Sequence, residues 1–194
     1  MIPKIKSKEE IEKKERKTRL FMAVFVTVIL GASTAAYALM DTNPVEKKKY
    51  NDFTFYQTDE GWKAKNLDFT TSYIPQDVEN ISVSGELNLN DLSGNAYLIA
   101  FGNKELSAAT ELVRTLPLEK VSIACAIEKE NESFCYDLPI KSCEDAASGS
   151  PVIIFSEANE SSVAYNSYCL EIKSNEEEAI KAADRVIFGL YDVI

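Results

Sequence analysis

Apolar and polar positions change rhythm several times along the chain, and each change predicts an element. The first is a solid block: "LFMAVFVTVILGASTAAYALM", residues 20–40, contains no charged side chain. A helix of that length rises about 31 Å, which matches a bilayer's hydrocarbon core. Lys13, Lys14, Arg16, Lys17 and Arg19 crowd its N-terminal side and Asp41 opens the other. The positive-inside rule then keeps the N-terminus in the cytoplasm and everything after Asp41 outside. The stretch before it, "SKEEIEKKERKTR", reads as a helix start. Ser7 and Glu10 form a capping box, and Glu9–Lys13, Glu10–Lys14, Glu12–Arg16 and Glu15–Arg19 are favourable i,i+4 pairs. One helix is expected to continue from cytoplasm into bilayer. A secretory signal peptide, with an apolar core at 20–30 and cleavage near Ala38 after "AYA", reads the same residues another way. Both readings export the remainder.

Beyond a polar stalk at 41–50 the rhythm shortens. "FTFY" and "WKAK" flank "QTDEG" as a hairpin, with Phe53, Phe55 and Trp62 as core contributors. For Trp62 a binding aromatic is the alternative to the core reading, which is the safer assumption. "PQDVENI" predicts a short helical turn at Pro75. "AYLIAF", residues 96–101, is the unbroken apolar run of a central strand. Leu106, Ala109, Val113 and Leu116 then recur at helical spacing until Pro117 stops the helix, and "VSIACAI" returns as a strand over 119–127. This is a β-α-β unit with parallel strands. "PVIIF" and "SSVAY" follow with "SEANE" as their turn, and alternation slips at Asn166-Ser167, a bulge or second turn before "YCLEI". A last helix begins at Ser174 or Asn175, its buried stripe being Ile180, Ala183, Ile187, Leu190 and Ile194. The expected class is α/β (mixed α+β): a basic cytoplasmic helix (1–19), a transmembrane helix (20–40), a stalk (41–50) and one exported mixed-sheet domain (51–194).

Composition adds an asymmetry. Residues 1–19 hold eight Lys/Arg and four Glu, which leaves 13 of the 21 basic and 27 of the 31 acidic residues beyond them, a balance of −14. An acidic body repels phosphate backbones, so nucleic acid is excluded as its partner. Apolar residues at 45% and charged residues at 27% describe an ordinary globular chain.

Histidine is absent, which removes Ser–His and Cys–His nucleophile activation and the commonest nitrogen ligand for metals. Neither a phosphate-cradling glycine loop nor a G-x-S-x-G elbow occurs. "NLNDLSGN", residues 88–95, is oxygen-rich like a calcium loop but lacks the closing glutamate and reads as a turn. No catalytic residue, metal ligand or cofactor site is therefore assigned. A carboxylate pair of glycosidase type stays open, because its spacing is spatial. The expected function is a non-catalytic, membrane-anchored extracytoplasmic domain that binds a protein or cell-envelope component. The alternative is an exported carboxylate-dependent hydrolase or transferase.

The four cysteines, Cys125, Cys135, Cys143 and Cys169, all lie in the exported part and are spaced unlike metal or redox motifs, so they read as two structural disulfides. Three pairings are possible. Side-chain parity in a regular hairpin of "VSIACAIE" with "SFCYDL" would set Cys125 and Cys135 on opposite faces. Sequons at Asn80, Asn131 and Asn159 are glycosylation candidates, in a number that chance alone gives.

"FTFY" with "GW", "AC…FCYDLPIKSCEDA", "PVI…YCLEI" and the closing "AADRVIFGLY" together resemble uncharacterised single-pass membrane-anchored proteins of small-genome archaea. The resemblance implies an N-terminal anchor, an exported α/β domain and the pairing Cys125–Cys135 with Cys143–Cys169. It implies no activity and no catalytic residues.

Overall fold

A computed structural model describes residues 8–40, 45–100, 102–129 and 132–194, with the side chains of 8–14, 34–40 and Glu128 excepted. The chain divides into two compact units, residues 1–44 and 45–194.

In the first unit, helix α1 (Lys8–Met40) runs without a break through the basic stretch and the apolar block. Glu15 and Arg19 lie 3.8 Å apart, as the i,i+4 spacing requires. Ser7 and the side chains of the other three pairs fall outside the described residues. Thr27 and Ser33 each donate to the carbonyl four residues back, Ala23 and Ile29, at 2.8 Å. Among the described residues no helix is long and apolar enough to cross a membrane. Described side chains of the uncharged run end at Ser33, and its remainder, with the cleavage motif at Ala36–Ala38, lies outside them.

The second unit is a mixed α+β fold with two sheets where one was expected. The smaller is an antiparallel meander of β1 (Lys47–Tyr50), β2 (Phe53–Thr58), β3 (Gly61–Ala64) and β4 (Thr70–Thr71). The expected stalk at 41–50 is thus half strand: "KKKY" pairs along β2 from Lys47↔Tyr56 to Tyr50↔Phe53. Backbone hydrogen bonding, which needs no apolar pattern, recruits these lysines. The "FTFY"/"WKAK" hairpin is β2–β3, with Phe55 and Ala64 buried and Phe53 and Trp62 packed at the core's edge. Gly61 turns the chain at φ 131°, and a Cβ there would collide with the Thr71 carbonyl oxygen.

The larger sheet has six strands: β5 (Ser82–Ser84), β6 (Gly94–Ile99), β7 (Leu118–Ile123), β8 (Val152–Glu157), β9 (Ser162–Asn166) and β10 (Cys169–Ser174), in the order β5-β9-β10-β8-β6-β7. β6 and β7 are parallel neighbours joined by helix α2 (Asn103–Thr115), so the β-α-β unit is present. Phe101, the end of the expected strand, lies outside the described residues. The expected β8–β9 hairpin does not form. Instead β10 lies between them, parallel to β8 and antiparallel to β9. The slip at Asn166-Ser167 is a turn: Ser167 and Tyr168 have φ 45° and 72°, which suits the tight β9–β10 hairpin.

Helix α3 (Ala179–Leu190) starts later than expected, because Asn175 Oδ1 accepts from the amides of Glu177 and Glu178 and holds a turn first. Its buried set is broader than the expected stripe and includes Asp184, Val186 and Phe188. On α2 the buried residues are Ala108, Ala109 and Leu112, while Leu106 is exposed, a rotation of the expected stripe.

Alternation along β6 and β8 divides the core. Ala96, Leu98, Ile153 and Phe155 face the helices and the small sheet, where Phe55 meets Phe188 edge-on at 5.7 Å. Ile99 and Val152 face the other way, into a small cluster with Ala124 and Cys169 against which Ala126, Cys143 and Ala146 pack.

Candidate functional site

Between the small sheet and α2 lies an open hollow of about 500 Å³, lined among others by Lys63, Asp68, Thr70, Ser72, Glu111 and Arg114. Its wall is built by a crossing of three segments. Strand β4 ends at Thr71, which is fully buried, and its hydroxyl donates to the Tyr73 carbonyl at 2.8 Å. That sharp exit presents two successive amides. The Ser72 amide donates to Glu111 Oε1 at 2.7 Å, and the Ser72 hydroxyl donates to Oε2 at 3.0 Å. The Tyr73 amide donates to Asp184 Oδ2 at 2.8 Å. Glu111 comes from α2 and Asp184 from α3, so two carboxyl groups from neighbouring helices grip one dipeptide.

Asp184 is fully buried. Burial first, then the charge of Glu111, pushes its pKa up to about 9. At neutral pH Asp184 is therefore a carboxylic acid. Among the described residues nothing donates to its Oδ1. A protonated Oδ1 is itself a donor, and the Glu111 carboxylate is the acceptor beside it. The remaining polar groups of the hollow are solvated: Lys63 pairs with exposed Asp68 at 3.7 Å, a contact of little energetic weight. Arg114 makes no hydrogen bond or ion pair among the described residues.

Neither carboxyl was named from the sequence, although a signal existed. Asp184 stands four residues after Ile180 and three before Ile187, inside the predicted apolar stripe of α3.

Cys125 is bonded to Cys135 and Cys143 to Cys169, the pairing that the resemblance implied. The parity objection fails because no hairpin exists there. β7 ends at Ile123 instead of 127, and residues 127–129 and 133–135 form 3₁₀ turns. Cys125 is anchored instead to the Pro139–Lys141 segment, its amide donating to Pro139 and its carbonyl accepting from Lys141. Two disulfides belong to an oxidising compartment, so the protein is extracytoplasmic or secreted. Cys169 leads into β10 and Cys143 lies in a 3₁₀ turn capped by Ser142. Of the sequons, Asn80 and Asn159 are exposed, the latter in the bend between β8 and β9, and Asn131 falls outside the described residues. "NLNDLSGN" is a 3₁₀ turn over Leu89–Leu92 feeding β6, with Asn88 bonded to its own Asn90 amide. Trp62 packs against the core.

No family model, no curated protein and no solved structure matches the chain.

Proposed function

We propose that the chain is a membrane-anchored, non-catalytic extracytoplasmic domain, and that it holds a small hydroxyl-bearing component of the cell envelope in the hollow above Glu111. One observation carries the binding half. The carboxyl pair is engaged in gripping the chain itself: both Glu111 oxygens accept from Ser72, and Asp184 is sealed from solvent. A glycosidase-type pair needs two carboxyl groups facing the scissile bond from opposite sides. The lining that remains free to meet a ligand is hydroxyls, carboxylates and the unpaired guanidinium of Arg114, a set suited to exchanging hydrogen bonds with a sugar or polyol.

The anchoring half is supported by the uncharged run at 20–40, its flanking charges, and the back-bonded Thr27 and Ser33 hydroxyls, which carry little penalty in lipid. Protease treatment of intact cells should digest residues 45–194 and spare the basic tail. The reverse pattern overturns the topology.

For the hollow, the full chain in detergent micelles is titrated with neutral sugars, amino sugars and uronic acids while the Ser72 and Thr110 amide resonances are followed. Binding should move these resonances, and R114A should weaken it about tenfold, roughly 1.4 kcal/mol. Perturbation elsewhere or none at all sinks the assignment.

The second reading is an exported carboxylate-dependent hydrolase or transferase, and the raised pKa of Asp184 favours it, since proton-holding carboxyl groups serve as general acids. Its mark is cleavage of a glycoside that E111Q abolishes while leaving the fold intact.

A further inference from the structure

The grip on Ser72 and Tyr73 depends on a proton. We propose that Asp184 and Glu111 share one proton, donated from Asp184 Oδ1 to the Glu111 carboxylate, and that it latches the Ser72–Tyr73 dipeptide across α2 and α3 so that the hollow keeps its wall only while the proton is held. The inference rests on the binding reading for its purpose but not for its chemistry.

Three observations carry it. The two carboxyl groups take their backbone bonds from consecutive residues, at 2.7 and 2.8 Å, so they occupy one small space. Among the described residues Asp184 Oδ1 is buried with no donor, a state that costs little if it bears the proton and far more if it bears charge. Among the described residues no cation pairs with either carboxyl group to offset a second negative charge. Besides Glu111, the charged groups that line the hollow are Glu60, Lys63, Asp68 and Arg114, and α3 adds Lys181 and Arg185. Lys181 lies over the Tyr73 ring at 5.5 Å, Arg185 Nε donates to the Ile81 carbonyl, and Lys63 pairs with Asp68. Among the described residues none forms an ion pair with Asp184 or Glu111. With the proton the pair carries one negative charge, and each of its four oxygens has a partner. Without it two carboxylates confront each other in a buried site, and the dipeptide that bridges them is released.

The direction of the resulting pH dependence follows from where the proton sits. An unfolded chain loses the Asp184 proton near 3.8, whereas the native protein keeps it up to about 9. Between those values unfolding releases a proton, so this pair makes the native state less favoured as pH rises, by up to roughly tenfold in the folding equilibrium per pH unit. Above the native value the dependence levels off, and the latch itself opens.

The test uses the full chain in detergent micelles, without any ligand, as wild type, D184N and E111Q. Asparagine keeps an acceptor for the Tyr73 amide and a fixed donor toward Glu111. The carboxyl carbon resonance of Asp184 should remain that of an acid through neutral pH in the wild type. In E111Q its midpoint should fall, because the repulsion is gone and the neutral amide oxygen left in its place accepts more weakly than a carboxylate. Denaturant stability should decline with pH more steeply in the wild type than in D184N, by up to tenfold per unit. Exchange of the Tyr73 amide, corrected for base catalysis, should rise at least tenfold above pH 9 in the wild type and not in D184N. An Asp184 midpoint in the ordinary carboxylate range overturns the proposal. So does an E111Q midpoint equal to the wild type's, or identical pH profiles for wild type and D184N. A sugar titration that fails leaves all these readouts in place, and a latch that fails leaves binding measurable, so the two ideas fall separately.

Discussion

The two faces of the six-stranded sheet are covered in different ways. One carries α2, α3 and the small sheet, and its core runs from Phe55 through Leu112, Ile153 and Leu170 to Phe188. The other carries residues 124–129 and 132–151, a path of 3₁₀ turns and bends whose buried cluster among the described residues is Ile99, Ala124, Val152 and Cys169, with a few half-buried neighbours. Helices bring an apolar stripe that burial alone can hold. Turns bring none, and here Ile127, Phe134 and Tyr136 even point outward. Where burial is scarce, the cover is bonded on. Cys125–Cys135 closes the excursion on itself, and Cys143–Cys169 ties it to β10 in the middle of the sheet.

That contrast can be broken by substitution. Phe188→Ala, on the packed face, should cost about 3–5 kcal/mol in denaturant unfolding, because a fully buried ring in contact with Phe55 and Phe69 leaves a cavity. Replacing Cys143 and Cys169 together by alanine should cost about 3.5 kcal/mol by the chain-entropy model, and Cys125 with Cys135 about 3, since the second loop is shorter. Val152→Ala, in the small cluster, should cost only about 1–2 kcal/mol. A Val152 variant as damaging as the Phe188 variant would mean that packing holds both faces. Reduction sharpens the same point: hydrogen exchange at Cys125 and Lys141 should accelerate while Leu112 and Ile187 stay protected. Uniform loss of protection would show that the faces unfold as one.

What the sequence disclosed divides along a related line. Elements whose burial follows a period were legible: β6, α2 and β7 emerge from apolar spacing, and their parallel pairing from chain order. Pairings between strands of similar pattern were not. β8, β9 and β10 are each apolar enough to neighbour any other, and nothing local says that β10 slips between the two before it. β1 was invisible for the opposite reason, because "KKKY" joins by backbone bonds and exposes its lysines. The hollow's carboxyl pair was half legible. Asp184 breaks an apolar stripe, but Glu111 and the two amides that complete the grip lie 73 and more than a hundred residues away, with |i−j| of 111 for Tyr73. Parity misled for Cys125 and Cys135 because it presumes strands where the chain makes turns.

The two bonds also decide what a protease can do to a protein that works beyond the cytoplasm. A cut within residues 126–134 leaves the ends joined through Cys125–Cys135, and one within 144–168 leaves them joined through Cys143–Cys169. Between the first and last cysteine, only the stretch from Cys135 to Cys143 lies inside neither covalent ring. A single cleavage there divides the chain into pieces that no bond retains. Elsewhere in that span the nicked protein travels as one molecule until it meets a reductant.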